Sequence, residues 1–237
     1  EEGMRKLEVK DICDLYEIWC FIKVKNIVQD VMKELGKDAK PKVNGRDITN
    51  DFIPQLVYGG SVSFINQAGI ELASVCYNAE VHKGKSLSAI RGTNTMTTVQ
   101  RPDIVLRLSK QTEGNMKFTY LFDAKYRIAD RQNGVDTPPD DAINQMHRYR
   151  DAIYYKEHGS ETLKKEVIGG YILFPGDGEP ENVAMARFHK SIEEVNIGAF
   201  PLRPKDMNNR QLLEDFIEQL IGKNTEKILD DSIPQKG

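Results

Sequence analysis

The sequence has few of the residues that usually form a disulfide framework or a structural zinc site. Its 237 residues include three cysteines, none in a CxxC pair, and four scattered histidines without metal-ligand spacing. Neither set matches the ligand patterns of structural zinc sites. We therefore expect reduced, buried thiols and a cytoplasmic location, because disulfides are rare in that compartment.

Other features are missing as well. The sequence contains no apolar run long enough to span a bilayer, no GxxxxGK[ST] phosphate loop, no internal repeat and no low-complexity tract. These absences argue against a membrane partner and against a nucleotide-hydrolysing motor in this chain. The net charge of -3 argues against a protein that coats nucleic acid by bulk charge, although it permits a local basic groove.

The composition is that of an ordinary soluble protein, with 39% hydrophobic and 29% charged residues. No Pro/Gly/Ser-rich linker divides the chain into balanced halves. We predict a single domain over residues 1–237, with a core at about 11–175 and a C-terminal extension at 176–237. The first methionine is Met4, which is compatible with a fragment of a longer protein.

The spacing of apolar residues predicts an alternation of helices and strands. Residues 11–35 have helical spacing, Gly36 is a natural stop, and 37–50 is a polar loop. A second helix is predicted from Pro139 and Asp140, after a mobile polar loop at 128–138. Strands are predicted at 62–65, 69–81, 97–108, 117–126, 170–174 and 184–188, and a last helix at 210–221. The core order of helix, three strands, helix and strand predicts an α/β (α+β mixed) fold, in which helices flank a mixed sheet.

Two of these strands frame the most informative segment of the chain. The polar stretch between them contains Glu113-Gly114, which predicts a hairpin turn centred near residue 113. Such a hairpin pairs positions whose numbers add up to 226, and Asp103 and Asp123 satisfy that condition. Lys125 follows two residues later, on the same strand face as Asp123.

Two carboxylates and one ammonium group beside apolar strands form an expensive arrangement unless a cation offsets the repulsion. Mg²⁺ prefers carboxylate oxygens and keeps several waters, which leaves positions for phosphate oxygens. Lys125 could then orient the attacking water or help to deprotonate it, and could balance charge on a pentacoordinate phosphorus. The alternative is that Asp123 and Lys125 form a weak surface ion pair and Asp103 is an ordinary turn residue.

Pro102-Asp103 followed by Asp123-Ala124-Lys125 resembles the signature of the PD-(D/E)xK nuclease superfamily. The resemblance covers about residues 11–175 and implies a restriction-endonuclease-like core of a helix, three antiparallel strands, a helix and a further strand. It also implies a DNA endonuclease that uses Mg²⁺, for which Mn²⁺ can substitute. Asp103 and Asp123 would hold the metal, and Lys125 would position the attacking water.

Two further matches make the resemblance more specific. Tyr16-Glu17-Ile18-Trp19 is similar to the opening helix of McrC-like restriction nucleases, which implies that Glu17 is a catalytic residue and an auxiliary metal ligand, directly or through water. Gln145 and Tyr149 match the Q-x-x-x-Y spacing of RecB-like and McrC-like members, and this spacing places both on one helix face. The alternatives are a solvated Glu17 and a core aromatic at Tyr149.

The basic residues Arg101, Arg127 and Arg148 adjoin these motifs and are candidate contacts to DNA phosphates, although a solvated charged surface explains each of them equally well. The McrC-like resemblance implies a restriction or defence role, a separate McrB-like AAA+ nucleotide-hydrolysing subunit as partner, and a chain that is compatible with a homodimer. The alternatives are a catalytically silent nucleic-acid-binding or assembly subunit on the same fold, a DNA-repair nuclease, and a phosphoesterase that acts on a small nucleotide.

Overall fold

A seven-stranded mixed sheet forms the centre of the protein in the computed structural model. The structure describes residues 2–44, 59–83, 93–110, 116–156 and 163–232, without the side chains of residues 2–11, 156, 163 and 231–232. Within these ranges the helices are α1 (Glu2–Glu34), α2 (Asp140–Ala152), α3 (Pro180–Met185), α4 (Arg187–Val195), α5 (Met207–Gly222) and α6 (Thr225–Ser232).

The strands in the described ranges are β1 (Ala39–Asn44), β2 (Ser61–Asn66), β3 (Glu71–Tyr77), β4 (Thr93–Thr95), β5 (Ile104–Lys110), β6 (Met116–Ala124), β7 (Asp130–Gln132), β8 (Val135–Thr137), β9 (Ile153–Lys156), β10 (Leu163–Lys165), β11 (Val167–Phe174) and β12 (Ile197–Pro201). The main sheet has the order β1-β2-β3-β5-β6-β11-β12. In this sheet β1, β2, β3, β5 and β6 pair antiparallel with their neighbours, whereas β11 runs parallel to both β6 and β12.

This architecture confirms the predicted fold class. The chain forms helix α1, the antiparallel strands β3, β5 and β6, helix α2, and then strand β11. Helix α2 reaches back over the sheet and makes the parallel β6–β11 pairing possible, because parallel strands need a crossover connection. Strands β1, β2 and β12 widen this core at its two edges.

Alternate residues of β5 and β6 face two different hydrophobic clusters. Leu106 and Tyr120 belong to the cluster that includes buried residues of α1 and α5, whereas Val105 and Leu121 belong to the cluster that includes α2. This alternation is the ordinary period of two in a strand buried on both faces. Positions 103, 123 and 125 are the odd-numbered positions at one end of these two strands, so the alternation places their side chains on the α2 face.

Residues beyond the predicted core also belong to the main sheet and its cover. Strand β12 pairs parallel with β11, and Phe200 on β12 is fully buried. Leu213 and Ile217 of α5 are buried in the same cluster as Val24 of α1. The segment after residue 175 therefore buries a large part of the α1 side of the sheet.

Several predicted boundaries were wrong. Residues 184–188 form no strand but the end of α3 and the start of α4, where Pro180 occupies the first turn of α3. A stretch of five mainly apolar residues cannot distinguish a strand from a helical turn, and the following Ile192 continues a helical period. The predicted strand at 97–108 begins only at Ile104, because residues 97–103 lie outside the main sheet.

The predicted mobile loop at 128–138 contains a short hairpin instead. Strands β7 and β8 pair antiparallel around Asn133 and Gly134, whose φ angles are 51° and 80°. Two central residues with positive φ are characteristic of the type I′ turn that Asn-Gly favours. The polar loop predicted at 37–50 likewise contains β1, while its residues 45–50 and the hairpin turn near residue 113 lie outside the described residues.

Helix α1 begins nine residues before the predicted start at residue 11 and ends at Glu34, one residue before the predicted end. The first turns of α1 lack the regular apolar spacing used for the prediction. In the part of the chain that the structure describes, no helix is long and apolar enough to cross a membrane.

Candidate active site

The two candidate aspartates lie at one end of the β5–β6 hairpin. Ile104 pairs with Phe122 and Lys110 pairs with Met116, so every pair adds up to 226 and the predicted register is confirmed. Asp103 precedes β5 by one residue, and Asp123 is the next position of β6 after Phe122. The register therefore places the two aspartates opposite each other where the paired segment ends.

Asp103 is anchored to the strands on either side of it. Its Oδ2 accepts a hydrogen bond of 2.8 Å from the backbone N–H of Ala124, and its backbone carbonyl accepts one of 2.6 Å from the N–H of Asn78. The residue is only 8% exposed. Burial raises the pKa of the Asp103 carboxyl well above its usual range, the charge of Asp123 raises it further, and Lys125 opposes both effects.

Asp123 is still more deeply buried, at 1% exposure, and it forms an ion pair with the ammonium group of Lys125. Burial raises the pKa of the Asp123 carboxyl, and the attraction of Lys125 lowers it only in part. Burial alone would lower the pKa of Lys125, but the carboxylates of Asp123 and Asp103 outweigh it and raise this pKa. Lys125 is therefore a charged partner of Asp123 in this arrangement.

Glu17 approaches the site from helix α1. Tyr16 donates a hydrogen bond of 2.8 Å to the carbonyl of Leu202, and its ring lies 5.3 Å from that of Tyr126, the residue after Lys125. These contacts bring this turn of α1 beside the end of β6. Glu17 is half-buried; burial raises the pKa of its carboxyl, while the positive charge of Lys125 lowers it.

The residues present fit a hard divalent cation. Apart from the Lys125 ammonium and the Asp103 carboxyl, no donor among the described residues reaches the two buried oxygens of Asp123. A cation would satisfy them, and Mg²⁺ is commonly held by one or two carboxylates with water in its other positions. Three His, Cys, Asp or Glu side chains do not converge into a complete ligand set anywhere in the described ranges. Asp103 and Asp123 would therefore be the direct protein ligands of the cation, and Glu17 would bind it through a water molecule.

Helix α2 places Gln145 and Tyr149 beside the aspartates, as predicted for a pair on one helix face. Gln145 Nε2 donates to the Tyr149 hydroxyl at 2.7 Å, and this hydroxyl donates to the carbonyl of Arg101 at 2.8 Å. Burial raises the pKa of Tyr149, and the negative charges of Asp123 and Asp103 add to the effect. The chain of hydrogen bonds thus steadies the backbone just before the first aspartate.

A groove runs along α2 next to this chain. It has a volume of about 990 Å³ and is lined by residues 96–101 together with Gln145, Arg148 and Tyr149. Arg148 is exposed in it, while Arg101 forms an ion pair of 2.7 Å with Glu80. Arg127 is exposed and paired with Asp141. All three arginines therefore lie on the surface around the site, although two of them have acidic partners.

Asn78 borders the candidate site through its backbone bond to Asp103, and the sequence did not reveal this position. Position 78 fell inside the strand predicted at 69–81, but β3 ends at Tyr77 and Asn78 has a φ of 44°. Asparagine is enriched several-fold at such left-handed positions. That enrichment, directly after a run of strand-forming residues, is the only signal in the sequence that could have indicated the end of the strand.

A mixed sheet covered by helices, with two buried aspartates and a lysine at adjoining strand ends, defines a restriction-endonuclease-like fold. The family model described as the PD-(D/E)XK nuclease superfamily matches residues 14–179, which contain every candidate catalytic residue. This match spans more than two thirds of the sequence, and the chain belongs to that superfamily. Its members are nucleases, which assigns the chain to the hydrolases that act on nucleic acids. Neither a curated protein nor a solved structure gives a match.

Proposed function

We propose that this protein is a Mg²⁺-dependent DNA endonuclease and the nuclease component of a McrBC-type restriction system. The catalytic part of the proposal rests on the buried aspartates Asp103 and Asp123. They lie opposite each other at the end of the β5–β6 hairpin, and Lys125 lies beside them. Two carboxyls whose pKa values are raised by burial are costly to ionise without a cation. Such an arrangement is characteristic of a functional site.

In this proposal Asp103 and Asp123 hold the cation, and Glu17 joins them through a water molecule. When bound, Mg²⁺ or Mn²⁺ supplies Lewis-acid activation of the phosphodiester and of the attacking water. The Ala124 N–H keeps Asp103 Oδ2 in its orientation. Burial of both aspartates excludes bulk water and strengthens every electrostatic interaction in the site.

Lys125 would act as a positioned cation. Its raised pKa keeps the ammonium protonated, so it can donate hydrogen bonds to the attacking water and to the phosphate oxygens. Negative charge on those oxygens increases as the phosphorus becomes pentacoordinate. A fixed positive charge at this position therefore stabilises the transition state more than the ground state.

We also propose that the DNA backbone follows the groove along α2. Arg148 is exposed in that groove, and Arg101 and Arg127 can exchange their acidic partners for phosphates. The McrBC-type assignment rests on the Tyr16-Glu17-Ile18-Trp19 motif, whose tyrosine and glutamate both contribute to the site geometry. It entails a separate McrB-like AAA+ partner, which would supply the nucleotide hydrolysis.

Cleavage of supercoiled plasmid DNA tests the catalytic proposal. The wild type should nick or linearise the plasmid in Mg²⁺ or Mn²⁺ and should be inactive in EDTA. Asp123→Ala and Lys125→Ala should each lose about a hundredfold or more of the rate, because each removes a group that acts on the transition state. Lys117→Ala is the matched control, since Lys117 is exposed at the opposite end of β6.

Full activity in both site variants would refute the assigned mechanism. Binding of DNA without cleavage, unchanged in these variants, would instead favour a catalytically silent subunit. A comparison with a free nucleotide as substrate would identify a small-molecule phosphoesterase. Parallel digestion of modified and unmodified duplexes, with and without cellular extract, tests the restriction role and the need for a motor partner.

A further inference from the structure

A second cavity, the aromatic pocket, lies on the α1 side of the candidate active site. It has a volume of about 570 Å³ and lies between α1 and the residues that follow β6 and β11. Large apolar or aromatic side chains form most of its wall, namely Ile12, Leu15, Tyr16, Trp19, Tyr126 and Ile128. Its volume is within the range of about 300–1,000 Å³ that is typical of ligand sites.

The aromatic pocket exposes apolar side chains that lie next to one another. Leu15 is 63% exposed and Tyr126 is 48% exposed, and Ile12 and Ile128 are exposed beside them. Single apolar side chains on a surface are ordinary, whereas several that share one surface mark a binding site. The exposed wall of the pocket is therefore a candidate contact surface for a ligand.

Three aromatic rings are held in a fixed arrangement in the pocket. The Tyr16 ring stacks on that of Trp19 at 5.8 Å and lies 5.3 Å from that of Tyr126. Tyr16 is buried and its hydroxyl donates to the Leu202 carbonyl, while the Lys23 ammonium lies 5.6 Å from the centre of the Trp19 ring. Tyr126 is therefore the ring on which a planar group can stack.

The charges at the pocket are positive. The two charged side chains in its described lining are Arg127 and Arg203. Each forms an ion pair on the surface, Arg127 with Asp141 and Arg203 with Asp177. Exposed ion pairs contribute little stability, so phosphates can replace these aspartates. Rings beside arginines are the combination that binds single-stranded nucleic acid, whose bases stack while its phosphates meet cations.

The pocket adjoins the candidate catalytic residues. Tyr16 directly precedes Glu17, and Tyr126 directly follows Lys125. The aromatic pocket belongs to the α1 side of the sheet and the α2 groove to the other side, so the strand ends with the aspartates lie between them. In an intact duplex the bases are paired and stacked. A base can enter the pocket without loss of pairing energy only when it is already unpaired.

We infer that the aromatic pocket binds an unpaired nucleobase of the DNA strand that is cleaved, by stacking on Tyr126 while Arg127 and Arg203 contact the adjoining phosphates. The inference rests on the proposed nuclease function and names its substrate class, which is DNA with a single-stranded segment such as a gap, an overhang or a fork. The two arginines favour a polyanion over an apolar protein segment, which would leave both cations without a new partner.

Trp19 reports on the pocket directly, because it is the only tryptophan in the sequence. Its fluorescence is titrated in EDTA with a single-stranded thymidine oligonucleotide, with an abasic oligomer of equal length and with a blunt duplex. The thymidine strand should quench the fluorescence and bind about tenfold more tightly than the abasic oligomer, because stacking adds to the shared phosphate contacts. The blunt duplex should leave the fluorescence nearly unchanged.

Variants of Tyr126 test the stacking surface. Tyr126→Ala should weaken binding of the thymidine strand about tenfold and remove its advantage over the abasic oligomer. Tyr126→Phe keeps the ring and should match the wild type. Met185→Ala is the control, because Met185 is another exposed apolar side chain and does not line the pocket. In Mg²⁺ the wild type should cleave a gapped duplex faster than an intact one, and Tyr126→Ala should lose this preference.

Equal affinity of the wild type for the thymidine strand and the abasic oligomer would overturn the inference, and so would wild-type binding by Tyr126→Ala. A dimer that Tyr126→Ala dissociates, with oligonucleotide binding unchanged, would identify the pocket as a protein interface and would also overturn it. Base-dependent binding without cleavage of any DNA in Mg²⁺ would refute the proposed nuclease function and support the base-binding pocket. Cleavage of DNA without base-dependent binding would refute the inference alone.

Discussion

Replacement of Asp103 by asparagine should abolish cleavage and stabilise the metal-free protein. The substitution keeps the size of the side chain, and the amide oxygen can still accept the hydrogen bond from Ala124 N–H. It removes a buried carboxylate whose pKa is raised by burial and then by Asp123. The cost of holding this charge in the folded protein therefore disappears, although the attraction to Lys125 is lost as well.

The net change in the free energy of unfolding is the sum of three contributions: the Asp123 repulsion, the Lys125 attraction and the desolvation of Asp103. Two unit charges about 4 Å apart near a protein surface interact by about 4 kcal/mol, and the Asp123 repulsion and the Lys125 attraction are each of this order. They largely cancel, so the desolvation of Asp103 decides the sign. We expect Asp103→Asn to raise the free energy of unfolding by about 1–3 kcal/mol. For a chain of this length, each kcal/mol raises Tm by about 2–4 °C.

The pH dependence of the stability difference between Asp103→Asn and the wild type tests the sign of this difference independently. A carboxyl with a raised folded-state pKa binds its proton more tightly in the folded than in the unfolded protein, where the pKa is about 3.9. Its contribution to stability is therefore most favourable at low pH and is lost as the pH rises towards the folded-state pKa. The gain from Asp103→Asn should be near zero at about pH 4 and should grow towards about pH 8.

Thermal unfolding in EDTA across this pH range, followed by circular dichroism, measures the effect. Addition of Mg²⁺ should raise the Tm of the wild type and leave that of the variant nearly unchanged, because a ligand stabilises only the state that binds it. A variant less stable than the wild type at neutral pH would refute the reasoning. So would a stability difference that does not change with pH.

Two further predictions concern buried polar groups, one in the sheet and one beside the candidate site. Glu166→Gln should lower the free energy of unfolding by about 3 kcal/mol in chemical denaturation, because it removes the 2.5 Å ion-pair partner of Arg107, whose side chain is 4% exposed. The control is Lys165→Gln, in an exposed ion pair, which should change the free energy of unfolding by less than about 0.5 kcal/mol. Equal effects of the two substitutions would contradict the argument. Tyr149→Phe should slow plasmid cleavage about tenfold and lower the free energy of unfolding by about 1 kcal/mol, because it removes the hydroxyl that donates a hydrogen bond to the Arg101 carbonyl. The control is Tyr154→Phe, which changes a tyrosine of the same groove. The same loss in both variants would show a general effect of the groove.

The hairpin that carries the site could be predicted because its signals are local. Polar residues between two apolar runs predicted the β5–β6 connection, and the register followed from a single turn position. The helical spacing in α1 and the aspartates at the start of α2 were similarly local, and both helices are present. The relation of Asp103 to Asp123 thus needed only a period of two and one turn.

The errors fall where distant contacts decide the conformation. Strand β12 was missed because Ile197–Pro201 becomes a strand by pairing with β11, about 27 positions earlier in the sequence. The turn at Asn133 and Gly134 was the opposite case, since its local signal was present and was interpreted as a mobile loop. Asn78 was missed because its conformation follows from a hydrogen bond to Asp103 on the neighbouring strand.

The sequence by itself determined the fold class and the pairing of Asp103 with Asp123, because the period of apolar residues and the position of a turn act over a few residues. Only the tertiary structure decided how deeply the aspartates are buried, that the carboxylates raise the pKa of Lys125, and that the N–H of Asn78 bonds to the carbonyl of Asp103. These properties depend on the sum of desolvation and charge from segments far apart in the chain. The chemical groups of the site could therefore be identified from the sequence. Their protonation states and mutual orientation depend on how α1, α2 and the sheet pack together.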